Sequence, residues 1–194
     1  MRWSGIVFKK DRPKILVTTT RRPTPRTRSL VKDLVSVLPG AVRFTRGHYN
    51  MEELSFEAAA IHAKRVIIIG TMRGNPSILR FYEPRPPRLR HIGSLIIRGV
   101  ALSREIGTGR PSMLRGLDLK IYPEGSEEPV PLVSEILMRG LLAGLALEKR
   151  VKGAVVILTE PRGDESVLTF WREGIMIGPK LRVVPTRSGG DSEG

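Results

Sequence analysis

The sequence predicts an α/β protein made of two tandem, similar halves packed together. Apolar runs without alternation, KILV at residues 14–17, VIII at 66–69 and AVVIL at 154–158, read as strands covered on both faces. Segments between them repeat their apolar residues at helical spacing. A stretch beginning at Val66 also recurs beginning at Val155.

Residues 14–17 should form a central parallel strand. Thr24 then supplies an N-cap hydroxyl and Pro25 a first helical residue, after which Leu30, Val31, Leu34, Val35 and Leu38 recur at helical spacing until Pro39-Gly40 stops the helix. Residues 41–45 read as a short strand beside the first, reached by a right-handed crossover. Asn50 is the N-cap of a second helix over 51–63, with Leu54, Ala58, Ile61 and His62 on one face and Glu52, Glu53 and Glu57 on the other. Strands at 66–69 and 77–82 follow, joined by a turn around Gly74.

The stretch EPRPPRLR at 83–90 cannot be helical inside and divides the chain. Beyond it, 94–101 and 117–122 read as strands, 132–149 as a largely buried helix, and 154–158 and 167–171 as two more strands. We therefore expect one domain over 1–194, with a basic N-terminal half at 1–86, a C-terminal half at 87–187 and a flexible tail at 188–194. The repeat supports this division. At a fixed offset of 89, VIIIGTMRGNPSILRFYE and VVILTEPRGDESVLTFWR share seven of 18 residues, among them Arg73/Arg162, Gly74/Gly163, Leu79/Leu168 and Phe81/Phe170.

The chain has 194 residues, 40% of them hydrophobic, enough to bury a core. Its formal net charge of +14 points to a polyanionic partner. That charge is uneven: residues 1–90 carry 19 Lys and Arg against 6 Asp and Glu, whereas 91–194 carry 14 against 13. There is no cysteine, which excludes disulfides and thiolate metal sites, and the 3 histidines are scattered. The N-terminus MRWSGIVFKK lacks the apolar core of a signal peptide, and no apolar run approaches the roughly 18 residues of a membrane span. These features read as a soluble, cytoplasmic protein with no metal, no cofactor and no membrane partner.

The loop TTTRRPTPRTRS, 18–29, leads from a strand into a helix N-terminus, where unpaired N–H groups and the helix dipole favour an anion. Arg21, Arg22, Arg26 and Arg28 surround that point, with threonine hydroxyls among them. Arginine suits phosphate because its planar fork grips two oxygens and its face stacks on bases. Arg43, Arg46, His48 and Tyr49, at the end of the next strand, should emerge on the same edge, and Arg73 after the third strand should join them. Tyr49 is placed to stack an unpaired base.

Catalytic signals are poor. The P-loop pattern is absent, GTGRPS at 107–112 lacks the last glycine of G-x-G-x-x-G, and Glu127-Glu128 reads as a solvated pair. His62 reads as a packing residue, and His91 stands beside the Pro/Arg-rich stretch. No nucleophile is assembled with a base, so no catalytic residue is assigned.

The run PKILVTTTRRPTPRTRSLVKDLVSVLPGAVRFTRG, the following helix, the hairpin from Val66 and the similar second half together resemble the Brix-domain family of ribosome-biogenesis proteins, in particular its small archaeal members. The likeness spans nearly the whole chain. It rests on the strand-T-[ST]-R-x-P-[ST]-x-R opening, the P-G-A-x-R-x-x-R-G stretch and the R-G-x-P turn, in that order. The resemblance implies halves similar to the anticodon-binding domains of class II aminoacyl-tRNA synthetases. It also implies a non-enzymatic role: binding ribosomal RNA or its precursor in processing, folding or subunit assembly, with ribosome-assembly proteins as further partners. The family's basic opening falls on Arg21, Arg22, Arg26 and Arg28, and its P-G-A-x-R stretch on Arg43 and Arg46.

Two other functions are compatible with the residues alone. One is a protein-interaction module whose basic face docks on an acidic surface. The other is an enzyme acting on RNA or a phosphorylated ligand, using the same loop as its phosphate pocket.

Overall fold

The computed structural model describes residues 14–109, 111, 114, 116–125 and 131–186. The expected tail at 188–194 lies outside them. The first part of the chain forms β1 (Lys14–Thr19), α1 (Pro25–Val37), β2 (Ala41–Arg43), α2 (Met51–Ala60), β3 (Ala63–Met72), β4 (Asn75–Arg85) and β5 (Arg88–Ala101). The second part forms α3 (Ser103–Ile106), β6 (Asp118–Pro123), α4 (Leu132–Leu141), β7 (Gly144–Leu145), β8 (Ala154–Arg162), β9 (Glu165–Arg172) and β10 (Ile175–Pro185).

Among the described residues the strands make a single mixed sheet in the order β2-β1-β3-β4-β5-β10-β9-β8-β6-β7. Read from either edge, the pairing is the same. β1 is parallel to β2 and β3, and β3, β4 and β5 then run antiparallel; likewise β6 is parallel to β7 and β8, and β8, β9 and β10 run antiparallel. The two sets join where β5 pairs antiparallel with β10, for example at Val100↔Leu181 and Ile97↔Val183.

Strand alternation sorts the side chains into two layers. Ile15 and Val17 of β1, Ile67 and Ile69 of β3, Phe81 of β4 and Val155 and Ile157 of β8 join Leu30, Leu34 and Val37 of α1 and Ile136, Leu137 and Leu141 of α4 in one core. Leu16, Val66 and Ile68 point the other way and are covered by Leu54 and Ala58 of α2. Each fully buried aliphatic side chain contributes about 1.5–3 kcal/mol, so the long core beneath α1 and α4 dominates stability.

Both helices of the first part start as their sequence signals dictate. The Thr24 hydroxyl accepts from the Thr27 N–H at 3.3 Å, with Pro25 at the first helical position. Asn50 and Glu53 form a reciprocal capping box, the two bonds measuring 2.7 and 2.8 Å. No helix of the described residues is long and apolar enough to cross a membrane.

Several expected boundaries move. The second helix ends at Ala60 rather than 63, because His62 takes a φ of +57° and Ala63 already pairs with Lys14 as the first residue of β3. The helix expected over 132–149 stops at Leu141: Leu142 has a φ of +56°, and Gly144 and Leu145 are drawn into pairing with Lys120 and Ile121. The stretch 83–90 is a hairpin between β4 and β5 in which Arg85 faces Arg88, so the division expected at 86/87 falls inside a turn. β10 was not foreseen. Gly178-Pro179 breaks its apolar pattern, and the structure absorbs the break as a bulge between Ile177 and Leu181.

Candidate nucleic-acid interface

Because β1 and β2 are parallel, with Val17 opposite Arg43, their carboxyl ends open on one edge of the sheet. The loops leaving them and the first turns of α1 enclose a cleft of about 220 Å³. It is lined by Thr19, Thr20, Arg21, Arg22, Pro23, Arg28, Val31, Arg43, Phe44, Thr45, Arg46 and Gly47. Among the described residues, the lining holds five arginines and no carboxylate.

Arg21 Nη2 donates to the His48 carbonyl at 3.4 Å, joining the loop after β1 to the loop after β2. Arg28 reaches back to the Pro23 carbonyl at 3.5 Å, and both side chains stay exposed. Arg22 holds a φ of +54°, the left-handed region that side chains other than glycine rarely adopt. Arg46 differs from the others in being only 9% exposed. Its Nε donates to the Tyr49 carbonyl at 3.1 Å and its Nη2 to Met51 Sδ at 3.4 Å. Burial first, and then the charge of Arg21, hold its pKa below the ordinary arginine value, with Tyr82 opposing the shift. The guanidinium remains a cation at neutral pH, one whose surroundings favour the arrival of an anion.

The cleft gathers Arg21, Arg22, Arg28, Arg43 and Arg46 from the residues expected to bind RNA. It does not gather Arg26, which turns away. Arg26 Nη1 and Nη2 lie 2.6 and 2.9 Å from the two carboxylate oxygens of Glu105, and Nη2 also donates to the Val100 carbonyl at 3.0 Å. The residue braces α1 against the end of β5 and α3. Arg73, in the turn between β3 and β4, is exposed with a φ of +49° and does not line the cleft. That turn is fastened to α1, because Thr24 Oγ1 donates to the Gly74 carbonyl at 2.9 Å. Thr27 Oγ1 is likewise 2.9 Å from Thr71 Oγ1, so both hydroxyls are engaged within the fold.

Tyr49 is 37% exposed and meets Phe44 edge-on, with ring centroids 5.3 Å apart at 71°. The sequence reading passed over Phe44, although its place between Arg43 and Arg46 at a strand end was the available signal. At the corresponding edge of the second part, among the described residues, Glu124 pairs with Lys149, and Glu160 with Arg162 at 3.1 Å.

No family model matches the chain. A relative from Aeropyrum pernix named "Probable Brix domain-containing ribosomal biogenesis protein" is 41% identical over 174 residues, which cover 86% of this chain and 93% of that one. The chain belongs to the Brix domain-containing ribosomal biogenesis proteins. A Brix relative of the same name from Methanopyrus kandleri is 31% identical over 176 residues, covering 85% and 90% of the two chains. The crystal structure of a probable ribosomal biogenesis protein from Aeropyrum pernix K1 matches with a TM-score of 0.83 at 40% identity, over 91% of this chain and 98% of that chain. The crystal structure of Mil, an archaeal Imp4-like protein, matches with a TM-score of 0.65 at 20% identity, over 90% and 99%. It shares the Brix fold.

Proposed function

We propose that this chain acts in ribosome biogenesis by binding ribosomal RNA or its precursor through the arginine cleft, without turning its ligand over. The observation that carries the reading is the convergence of five arginines, one of them buried, on a cleft that no carboxylate of the described residues lines. Such a site is electrostatically incomplete until polyanion enters it. The names borne by the Brix relatives support the same role. Arg21, Arg22, Arg28, Arg43 and Arg46 contact phosphates, Tyr49 offers an aromatic face, and Arg73 extends the positive field along the edge. Arg26 is left as a brace. Ribosome-assembly proteins are the second class of partner.

Binding of ribosomal RNA fragments, titrated between 50 and 200 mM salt, tests this. Four to five phosphate contacts give a log-log slope of about −2.8 to −3.5 at roughly −0.7 per single-stranded contact. Replacing Arg21, Arg28 and Arg43 together by alanine should bring that slope about 2 units closer to zero, while folding stability stays within roughly 0.5 kcal/mol for each surface change. A flat salt dependence in the native chain would sink the proposal.

A further inference from the structure

The arginines of the cleft share its walls with Pro23, Val31 and Phe44. This mixture bears on which form of RNA fits. A continuous A-form duplex keeps its bases stacked inside and offers phosphates and riboses to a protein surface, so the apolar wall would face nothing it could use. At about 220 Å³ the cleft is on the scale of one nucleotide and not of a helix.

We propose that the cleft seats one unpaired nucleotide of single-stranded or looped RNA, with its phosphate on Arg46 and Arg21 and its base against Phe44, and that it disfavours continuous duplex. The inference rests on the RNA-binding reading above and narrows its ligand. Arg46 supplies the anchor. Of its five N–H donors, Nε is engaged by the Tyr49 carbonyl and one on Nη2 by Met51 Sδ, which leaves three for an incoming phosphate. With only 9% of Arg46 exposed, a ligand must enter the cleft to reach it. Phe44 supplies the platform. It is half-buried, packs beside the α2 core, and is steadied by the edge contact with Tyr49, so a base can settle on it without ordering a free ring.

Fluorescence anisotropy at one fixed salt decides the matter, comparing labelled 12-nucleotide oligouridine with a blunt RNA duplex of 12 base pairs. For the native chain, oligouridine should bind at least about tenfold more tightly. Phe44→Leu should weaken oligouridine about tenfold and leave the duplex unchanged. Thermal melting of this variant checks that it is folded, while the native comparison needs no variant at all. Duplex bound as tightly as oligouridine, and still weakened by Arg21→Ala with Arg28→Ala, would overturn the unpaired-nucleotide inference and leave RNA binding standing. Failure to bind either RNA, or binding indifferent to those arginines, would overturn both.

Discussion

Arg22 is the residue at which the backbone and the side chain disagree. Its φ of +54° costs about 1–2 kcal/mol for a residue with a Cβ, and glycine would adopt it freely. The disagreement is explained if the guanidinium is kept for the cleft it lines. Arg22→Gly should therefore leave the protein as stable or up to about 1 kcal/mol more so, since relief of the Cβ clash outweighs the added freedom of the unfolded chain. The same change should weaken RNA binding and bring the salt slope about 0.7 closer to zero. Urea unfolding and anisotropy on the same preparation read both quantities. Lower stability with unchanged affinity would make Arg22 a structural residue. At this scale the cleft was largely legible, because arginines crowded into a stretch without acidic residues cannot be neutralised locally. Arg26 falls outside the cleft for the converse reason: its partner Glu105 lies 79 positions away, and a single sequence does not reveal such a pairing. Phe44 escaped because an aromatic residue at a strand end reads equally well as core.

Elements were legible where local chemistry decides them and obscure where a neighbour does. The caps of α1 and α2 followed from Thr24-Pro25 and from Asn50. The repeat at offset 89 was half right. It matches β4 with β9, since Leu79 and Leu168 face the same core, as do Phe81 and Phe170. It sets β3 one residue out against β8, because Val66 packs under α2 whereas Val155 belongs to the α1–α4 core. The irregularity in the pairing of Gly70 and Thr71 with β4 inserts the extra residue, and a fixed-offset alignment has no means to see it. The end of α4 shows the same dependence on a neighbour. A Cβ on Gly140 would lie 2.6, 2.7 and 2.9 Å from Cγ, Cδ1 and Cβ of Phe81. In an exposed helix, alanine in place of glycine gains about 1 kcal/mol. Here the obstructing atoms are the base of a buried ring rather than a flexible tip, so the clash should win. Gly140→Ala is expected to destabilise the fold by about 1–3 kcal/mol in urea unfolding. Unchanged or raised stability would mean that α4 can lift from β4 at little cost.

The molecule as a whole has two matching strand sets that share one large core beneath α1 and α4, and the helices decide which of these governs unfolding. α1 packs on β10 of the second part, with the space between them so narrow that a Cβ on Gly178 would lie 2.3 Å from Val37. α4 packs on β3, β4 and β5 of the first part. The ties continue at the polar level: the Ser103 N–H donates to buried Asp33 of α1 at 2.9 Å, and Arg26 holds Glu105. Unfolding either part alone would strip the apolar cover from the other and leave an open strand edge at β5 or β10. The chain should consequently unfold in one transition despite its repeated plan. Leu30→Ala in α1, a position with no exposed surface, removes side-chain atoms from the shared core and should cost about 2–5 kcal/mol. Trp171 lies in β9, in the other part, so its fluorescence, isolated by Trp3→Phe, reports on structure the substitution does not touch. Far-UV ellipticity and Trp171 fluorescence should shift together, with coincident midpoints before and after the change. A Trp171 midpoint that stays in place while ellipticity loses an early step would mean that the parts unfold independently, and that the seam between β5 and β10 joins two domains rather than completing one.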